Sequence, residues 1–204
     1  MKAGNTHQGR LVSKTTQIAK STHHLLREPL QRIIITGANG VGKSHLAQRF
    51  ATQRPDLSVI SFDSIKLTQN WVQRSEPEIE QALLSVIAKD TWVLEGGPSL
   101  LHHALTRADC VIWLDPPEWI RAWQLFSRPW RHMGKTRPEL PPGNIDWPWQ
   151  QYRFAFHAIK KRKTMRNSIS LKLDCQPNLR VCHIRTRNQM DHIFREWEKS
   201  APSA

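Results

Sequence analysis

Eight consecutive residues constrain this chain more than any others. Gly37-Ala38-Asn39-Gly40-Val41-Gly42-Lys43-Ser44 fits the pattern G-x-x-x-x-G-K-[ST] in full. Its setting makes the pattern informative. It follows Ile33-Ile34-Ile35, a short β-branched run that reads as a buried parallel strand. It precedes Ser44 to Gln53, where Leu46, Ala47 and Phe50 fall on one side of a helix. Glycines let successive backbone N–H groups turn inward as an anion nest. The helix that follows adds its dipole and its unpaired N–H groups. Lys43 supplies a cation to β- and γ-phosphates, and Ser44 supplies a hydroxyl to Mg²⁺. The ligands implied are a nucleotide and Mg²⁺.

Beyond this loop the chain alternates between strand-like and helix-like segments. Leu57 to Phe62, Thr91 to Leu94 and Cys110 to Leu114 read as further strands. Glu76 to Lys89 places Ile79, Leu83, Val86 and Ile87 at helical spacing. Leu100 to Thr106 and Glu118 to Phe126 are the next helices expected. Gln150 to Arg166 reads as one basic helix, Leu179 to Ile184 as a last strand, and Gln189 to Lys199 as a closing helix. Such alternation implies a parallel sheet covered on both faces, with ligand sites at the carboxyl ends of its strands. Polar residues stand at those ends: Asp63 after Phe62, Glu95 after Leu94 and Asp115 after Leu114. Glu95 and Asp115 are both candidates to anchor the metal, and the sequence does not choose between them. Asp63 lies on the expected acceptor side, to accept a substrate hydroxyl or to cap a helix.

The net charge of +13 is unevenly placed. Residues 1–31 hold Lys2, Arg10, Lys14, Lys20 and Arg27 against Glu28, a balance of +4. Residues 121–166 hold eleven Lys/Arg against Glu139 and Asp146, a balance of +9. These two segments account for the whole excess and favour polyanionic partners. The first 31 residues read as a basic arm ahead of one domain at 32–199, with 200–204 as a tail. The arm has no apolar stretch of a secretory signal, and its low Arg content suits a basic tail better than an organelle-targeting segment. No apolar run approaches the roughly 20 residues of a membrane-spanning helix, so no membrane partner is expected. Cys110, Cys175 and Cys182 show no C-x-x-C spacing, and free thiols suit a cytoplasmic location.

Six of the nine Trp fall between 113 and 149. Trp119 and Trp123 are four apart and share a helix face. Packing against the sheet is the expected role, with a stacking surface for a base as the alternative. Trp147-Pro148-Trp149 reads as a loop, either a hinge anchor or a base contact. His102 and His103 are adjacent, so they diverge on a helix and make no metal pair. The run Lys160-Lys161-Arg162-Lys163 offers contacts for phosphate or nucleic acid, with a solvated helix face as the plainer reading.

The chain resembles the small phosphate-loop nucleotide-kinase-like proteins, related to adenylate kinases, that are often labelled DNA topology modulation proteins. The resemblance runs from about Arg32 to Phe194. It rests on the 37–44 loop, on Phe62-Asp63, on Trp92-Val93-Leu94-Glu95-Gly96 and on Arg107-Ala108-Asp109 leading into Val111 to Pro117. The Arg/Trp-rich helix to Arg131 and Gly134-Lys135-Thr136-Arg137-Pro138 complete it. It implies a three-layer α/β/α P-loop NTPase fold with a parallel sheet of about five strands. It also implies a basic lid within 121–166, in which Arg128 and Arg131 embrace the transferred phosphoryl group. Arg137, Arg153 and Arg162 are further lid candidates. Two departures stand out. His45 occupies the place where a Thr often reaches the α-phosphate, and Glu95-Gly96-Gly97-Pro98 replaces an Asp-Gly-Asn-Tyr-like turn. The activity expected is transfer of the ATP γ-phosphoryl to a nucleotide or other small acceptor. The alternative is an NTP-binding protein associated with nucleic acid through the basic arm and the Lys160–Arg166 cluster, without kinase activity.

Overall fold

The structure is a computed structural model and describes residues 30–55, 57–132, 140–144 and 148–200. Strand β1 (Arg32–Gly37) is central, between β3 (Trp92–Gly96) and β4 (Cys110–Leu114). The edges are β2 (Val59–Ser61), beside β3, and β5 (Arg180–Ile184), beside β4. All pairs are parallel and the order is β2-β3-β1-β4-β5.

The apolar runs are continuous because both faces are covered. Side chains alternate along a strand, so Ile33 and Ile35 face one layer while Ile34 faces the other. The first layer holds α1 (Lys43–Gln53) and α8 (Arg187–Ser200), which bury Leu46, Phe50, Ile193 and Trp197. The second holds α2 (Phe62–Lys66), α3 (Glu76–Ile87), α4 (Pro98–Ala104) and α7 (Arg162–Asp174). Leu83, Leu100, Leu101 and Ile169 pack there against Trp92, Leu94 and Val111. Each such aliphatic side chain contributes about 1.5–3 kcal/mol. Helices α5 (Glu118–His132) and α6 (Pro148–Lys160) pack on each other beside this sandwich, through Leu125, Ala155 and Ala158.

Local chemistry sets several boundaries. Helix α3 starts where Glu78 accepts from the Ser75 backbone N–H at 2.9 Å, with Pro77 in the first turn. Strand β2 is shorter than the expected 57–62 because Phe62 turns at once into α2 and buries against β3. The expected single helix over 150–166 is two helices broken at Lys161. The break lets α6 pack on α5 while α7 lays Ile169 and Leu173 onto the sheet. Helix α5 runs past Phe126 to His132. Pro148 and Trp149 open α6 instead of forming a loop, and Trp147 lies outside the described residues. Cys110 and Cys182 are buried free thiols with sulfurs 3.9 Å apart, and that contact, with burial, pushes the Cys110 thiol well up.

The sheet's register is clipped at its amino end. Asp109 Oδ1 accepts from Arg32 Nη2 at 2.7 Å and Nε at 3.2 Å, while Oδ2 accepts from the backbone N–H groups of Arg32 and Gln31. Burial opposes the Asp109 charge, but these donors outweigh it and hold the carboxyl below its ordinary 3.8. A lowered carboxylate stabilises the fold above its unfolded value and loses that stabilisation as pH falls through the folded value. Urea unfolding across a pH series should therefore show a constant advantage over Asp109→Asn at neutral pH, shrinking only below about pH 4. An advantage that disappears near neutrality would contradict this assignment.

Candidate functional site

The parallel arrangement brings the ends of β1, β3 and β4 to one edge of the sheet. There β1 runs into the 37–44 loop and then α1, as the sequence predicts. Two glycines are fixed by close approach. A Cβ on Gly37 would collide with the Leu114 carbonyl. Gly40 has φ +81°, and a Cβ there would lie 2.5 Å from Leu125. The loop is thus pressed between β4 and α5, and its backbone is held by those contacts. Lys43 Nζ donates to the Ala38 carbonyl at 3.1 Å, folded back over the loop. His45 is exposed on α1.

Ser44 and Glu95 meet across the sheet edge. Register pairs Glu95 with Ile35, two residues before the loop begins. Ser44 Oγ donates to Glu95 Oε1 at 3.2 Å, and Glu95 is only 4% exposed. Two hard oxygen donors therefore stand together beside Lys43. Among the described residues no group of three or more His, Cys, Asp or Glu could hold a metal unaided. A hydroxyl and a carboxylate such as Ser44 and Glu95 are of the hard-oxygen kind that Mg²⁺ accepts, the cation taking few protein ligands besides phosphate and water.

The other acidic candidate has different company. Asp115 accepts from Arg166 Nη2 at 3.1 Å and lies 3.2 Å from His183 Nε2. His183 in turn stacks on Trp113 at 4.1 Å between ring centroids. Asp115 thereby joins β4 and β5 to α7. Asp63 is exposed in α2, at the carboxyl end of β2 and two strands from the loop. Between Asp63 and the loop, the turn Gly96-Gly97-Pro98 is tightly packed at Gly96. A Cβ on Gly96 would lie 2.8 Å from Phe62 Cβ, and Lys172 of α7 donates to the Pro98 carbonyl at 2.8 Å. Helix α7 is thereby tied to the turn that follows β3.

Of the lid candidates, Arg128 and Arg131 fall in the last turns of α5, and their side chains lie outside the described residues, as does all of Arg137. Arg153 is exposed on α6, and Arg162 Nε pairs with Glu118 Oε2 at 2.5 Å. Within the Lys160–Arg166 cluster the helix breaks at Lys161; Lys160, Lys161 and Lys163 are exposed, while Arg162 and Arg166 hold acids. Most of the basic arm, residues 1–29, lies outside the described residues.

Trp119 and Trp123 do not pack on the sheet: they are 73% and 69% exposed. The reason is the opposite face of α5, where Arg121 is 1% exposed. Arg121 Nη2 pairs with Glu118 Oε1 at 2.7 Å, and Nη1 donates to the Asn39 carbonyl of the loop at 3.2 Å. Both nitrogens also reach the Ala158 carbonyl of α6 at 3.4 Å. One guanidinium thus joins the loop, α5 and α6. Sequence reasoning counted Arg121 only in the positive balance of residues 121–166 and missed this role. The available signal was Glu118, three residues earlier in the first turn.

No protein-family model matches the chain, and no curated protein matches it in sequence. Solved structures do. A gluconokinase from Sinorhizobium meliloti 1021 is 14% identical, covers 85% of this chain and 93% of its own, and has a TM-score of 0.50. A shikimate kinase from Bacteroides thetaiotaomicron is 18% identical, with 83% and 97% covered and a TM-score of 0.48. At such identities the likeness is one of fold, and the gluconokinase match supports the phosphate-loop α/β/α class read from the sequence. The DNA topology modulation label finds no support in these matches. No helix among the described residues is long and apolar enough to cross a membrane.

Replacing Arg121 by Met should destabilise the protein by about 1–3 kcal/mol, since it leaves buried acceptors without a donor. Nucleotide affinity should fall with it, because the Asn39 carbonyl loses its tether. Urea titration and nucleotide binding on the same variant test both; an unchanged affinity would show that the loop holds its shape without Arg121.

Proposed function

We propose that this protein is an ATP-dependent phosphotransferase acting on a small-molecule acceptor. The observation that carries the reading is the meeting of Lys43, Ser44 and Glu95 at a glycine loop held by Leu114 and Leu125. Loop N–H groups and the α1 terminus bind the phosphates of ATP. Lys43 leaves the Ala38 carbonyl for the β- and γ-phosphoryl oxygens, where charge develops during transfer. Ser44 and Glu95 would hold Mg²⁺, which when bound would supply charge neutralisation at the phosphates. Arg128 and Arg131 are the lid arginines proposed to embrace that group, since a guanidinium fork matches its oxygens better than an ammonium.

The acceptor binds at the carboxyl ends of β2 and β3, between Asp63 and the Gly96-Gly97 turn and beneath α7. Asp63 accepts the proton of the attacking hydroxyl or orients it. The gluconokinase whose fold this chain shares phosphorylates, by its name, a sugar acid, so the acceptor panel includes sugars and hydroxy acids as well as nucleoside mono- and diphosphates.

ATP consumption against that panel is the direct test. Lys43→Ala should lower turnover by about a hundredfold or more, the usual loss when a charge-stabilising donor is removed. Glu95→Gln should leave ATP binding without metal unchanged and raise the Mg²⁺ concentration for half-maximal turnover about tenfold. Nucleotide binding with no acceptor phosphorylated would count against the transferase reading, and a Glu95→Gln enzyme with unaltered Mg²⁺ response would return the metal role to Asp115.

A further inference from the structure

The exposed aromatic side chains of α5 and α6 form one surface that the phosphotransferase reading does not use. On α5, Trp119, Trp123, Phe126 and Trp130 recur at i, i+4, i+7 and i+11, a single stripe along the helix. Trp123 and Trp130 are 69% and 72% exposed. Phe126 meets Tyr152 of α6 at 6.1 Å between ring centroids, so the stripe continues onto the second helix. There an open groove of about 590 Å³ is lined by Trp149, Tyr152, Arg153, Phe156, His157 and Lys160. Trp149 is 76% exposed.

The order of residues along α6 identifies what the groove fits. Trp149, Arg153, Phe156 and Lys160 again follow i, i+4, i+7 and i+11, so aromatic and cation alternate along one line. Successive groups are about 6 Å and 4.5 Å apart along the axis. Lys160 Nζ already lies 4.9 Å from the Phe156 ring centroid. No Asp or Glu occurs in α6. A membrane-surface helix separates its apolar face from its cations, whereas here the two share a face. A second copy of the chain would set cation against cation. A single nucleic-acid strand offers one phosphate and one unstacked base at every step, which is what an alternating line of cations and rings can hold.

We propose that the α5–α6 surface binds single-stranded nucleic acid, with bases stacking on Trp149, Phe156 and the α5 tryptophans and phosphates held by Arg153 and Lys160. The binding is separate from the phosphate loop, and the Lys160–Arg166 run contributes through Lys160 rather than through Arg162 or Arg166, which hold Glu118 and Asp115.

The experiment uses the full chain and a fluorescently labelled oligo-dT of about 15 nucleotides, within the usual range for such grooves. Anisotropy is read between 50 and 200 mM salt. Wild type should bind, and oligonucleotide should quench its tryptophan fluorescence. Trp149→Ala with Phe156→Ala should weaken binding about tenfold or more with the salt slope unchanged. Arg153→Gln with Lys160→Gln should flatten the log–log salt slope by about 1.4, two phosphates at about 0.7 each. All four side chains lie on the surface, so melting temperatures should match wild type; if the aromatic pair is destabilised, Trp123→Ala and the quenching measurement serve in its place. Three arms distinguish other ligands. Equal affinity for a duplex of the same length overturns the proposal, because a duplex offers no free bases. Competition by a mononucleotide at equal nucleotide concentration assigns the surface to free nucleotide and overturns it. Binding to phosphatidylserine vesicles that the aromatic variant loses, while its oligonucleotide affinity stays intact, assigns it to a membrane and overturns it as well.

Discussion

The site depends on the register of β1 between β3 and β4. Parallel pairing sets Ile35 beside Glu95 and Gly37 beside Leu114, and from these two pairings the rest follows. The first delivers a buried carboxylate to the Ser44 hydroxyl; the second presses the glycine loop onto a strand carbonyl. A shift of one residue would turn Glu95 to the other face of the sheet, because side chains alternate. The clip between Arg32 and Asp109, at the opposite end of β1, holds the β1–β4 register that sets Gly37 beside Leu114. Contacts at one end of the central strand thus help to place the loop at its other end.

Around this centre the molecule divides its cations by function. Arg32, Arg121, Arg162 and Arg166 are paired with Asp109, Glu118 and Asp115, and they join elements. Such partly buried pairs are costly to break and modest in net stabilisation, so their main effect is geometric. Other cations are exposed, among them Arg153, Lys160, Lys161 and Lys163. This second group gives the surface its attraction for polyanions. The strongly basic composition therefore describes two separate things, a set of internal ties and an external charge field.

The α5–α6 pair stands outside the sandwich and has its own small core. Arg121 and Leu125 connect it to the loop. Any movement of this pair on nucleotide binding would be felt at the Asn39 carbonyl, and the converse holds equally. The aromatic stripe on its outer face thus sits on the opposite side of one helix from the 37–44 loop.

Much of this was legible in the sequence. The loop, the α1 helix behind it and the apolar runs of β1, β3 and β4 announce themselves, because each is defined by neighbours a few residues apart and by burial on both faces. Glu95 and Asp115 were visible as strand-end acids, yet nothing local distinguished them. Their difference arises from Ser44, which is 51 residues from Glu95 in sequence, and from Arg166 and His183 on distant elements. The break at Lys161 was hidden because the composition on either side of it is helical and basic, and only packing against two different partners splits it. The tryptophans misled for a related reason: helical spacing shows that Trp119 and Trp123 share a face, but not which way the face points. Arg121 settles that, because burying one guanidinium against the loop turns the opposite side of the helix to solvent. The sequence by itself determined the phosphate loop and the class of sheet that carries it, through short-range pattern and turn chemistry. Tertiary structure alone decided which acid faces the loop, which arginines are ties and which aromatics are surface, because each of those depends on contacts between residues far apart in the chain.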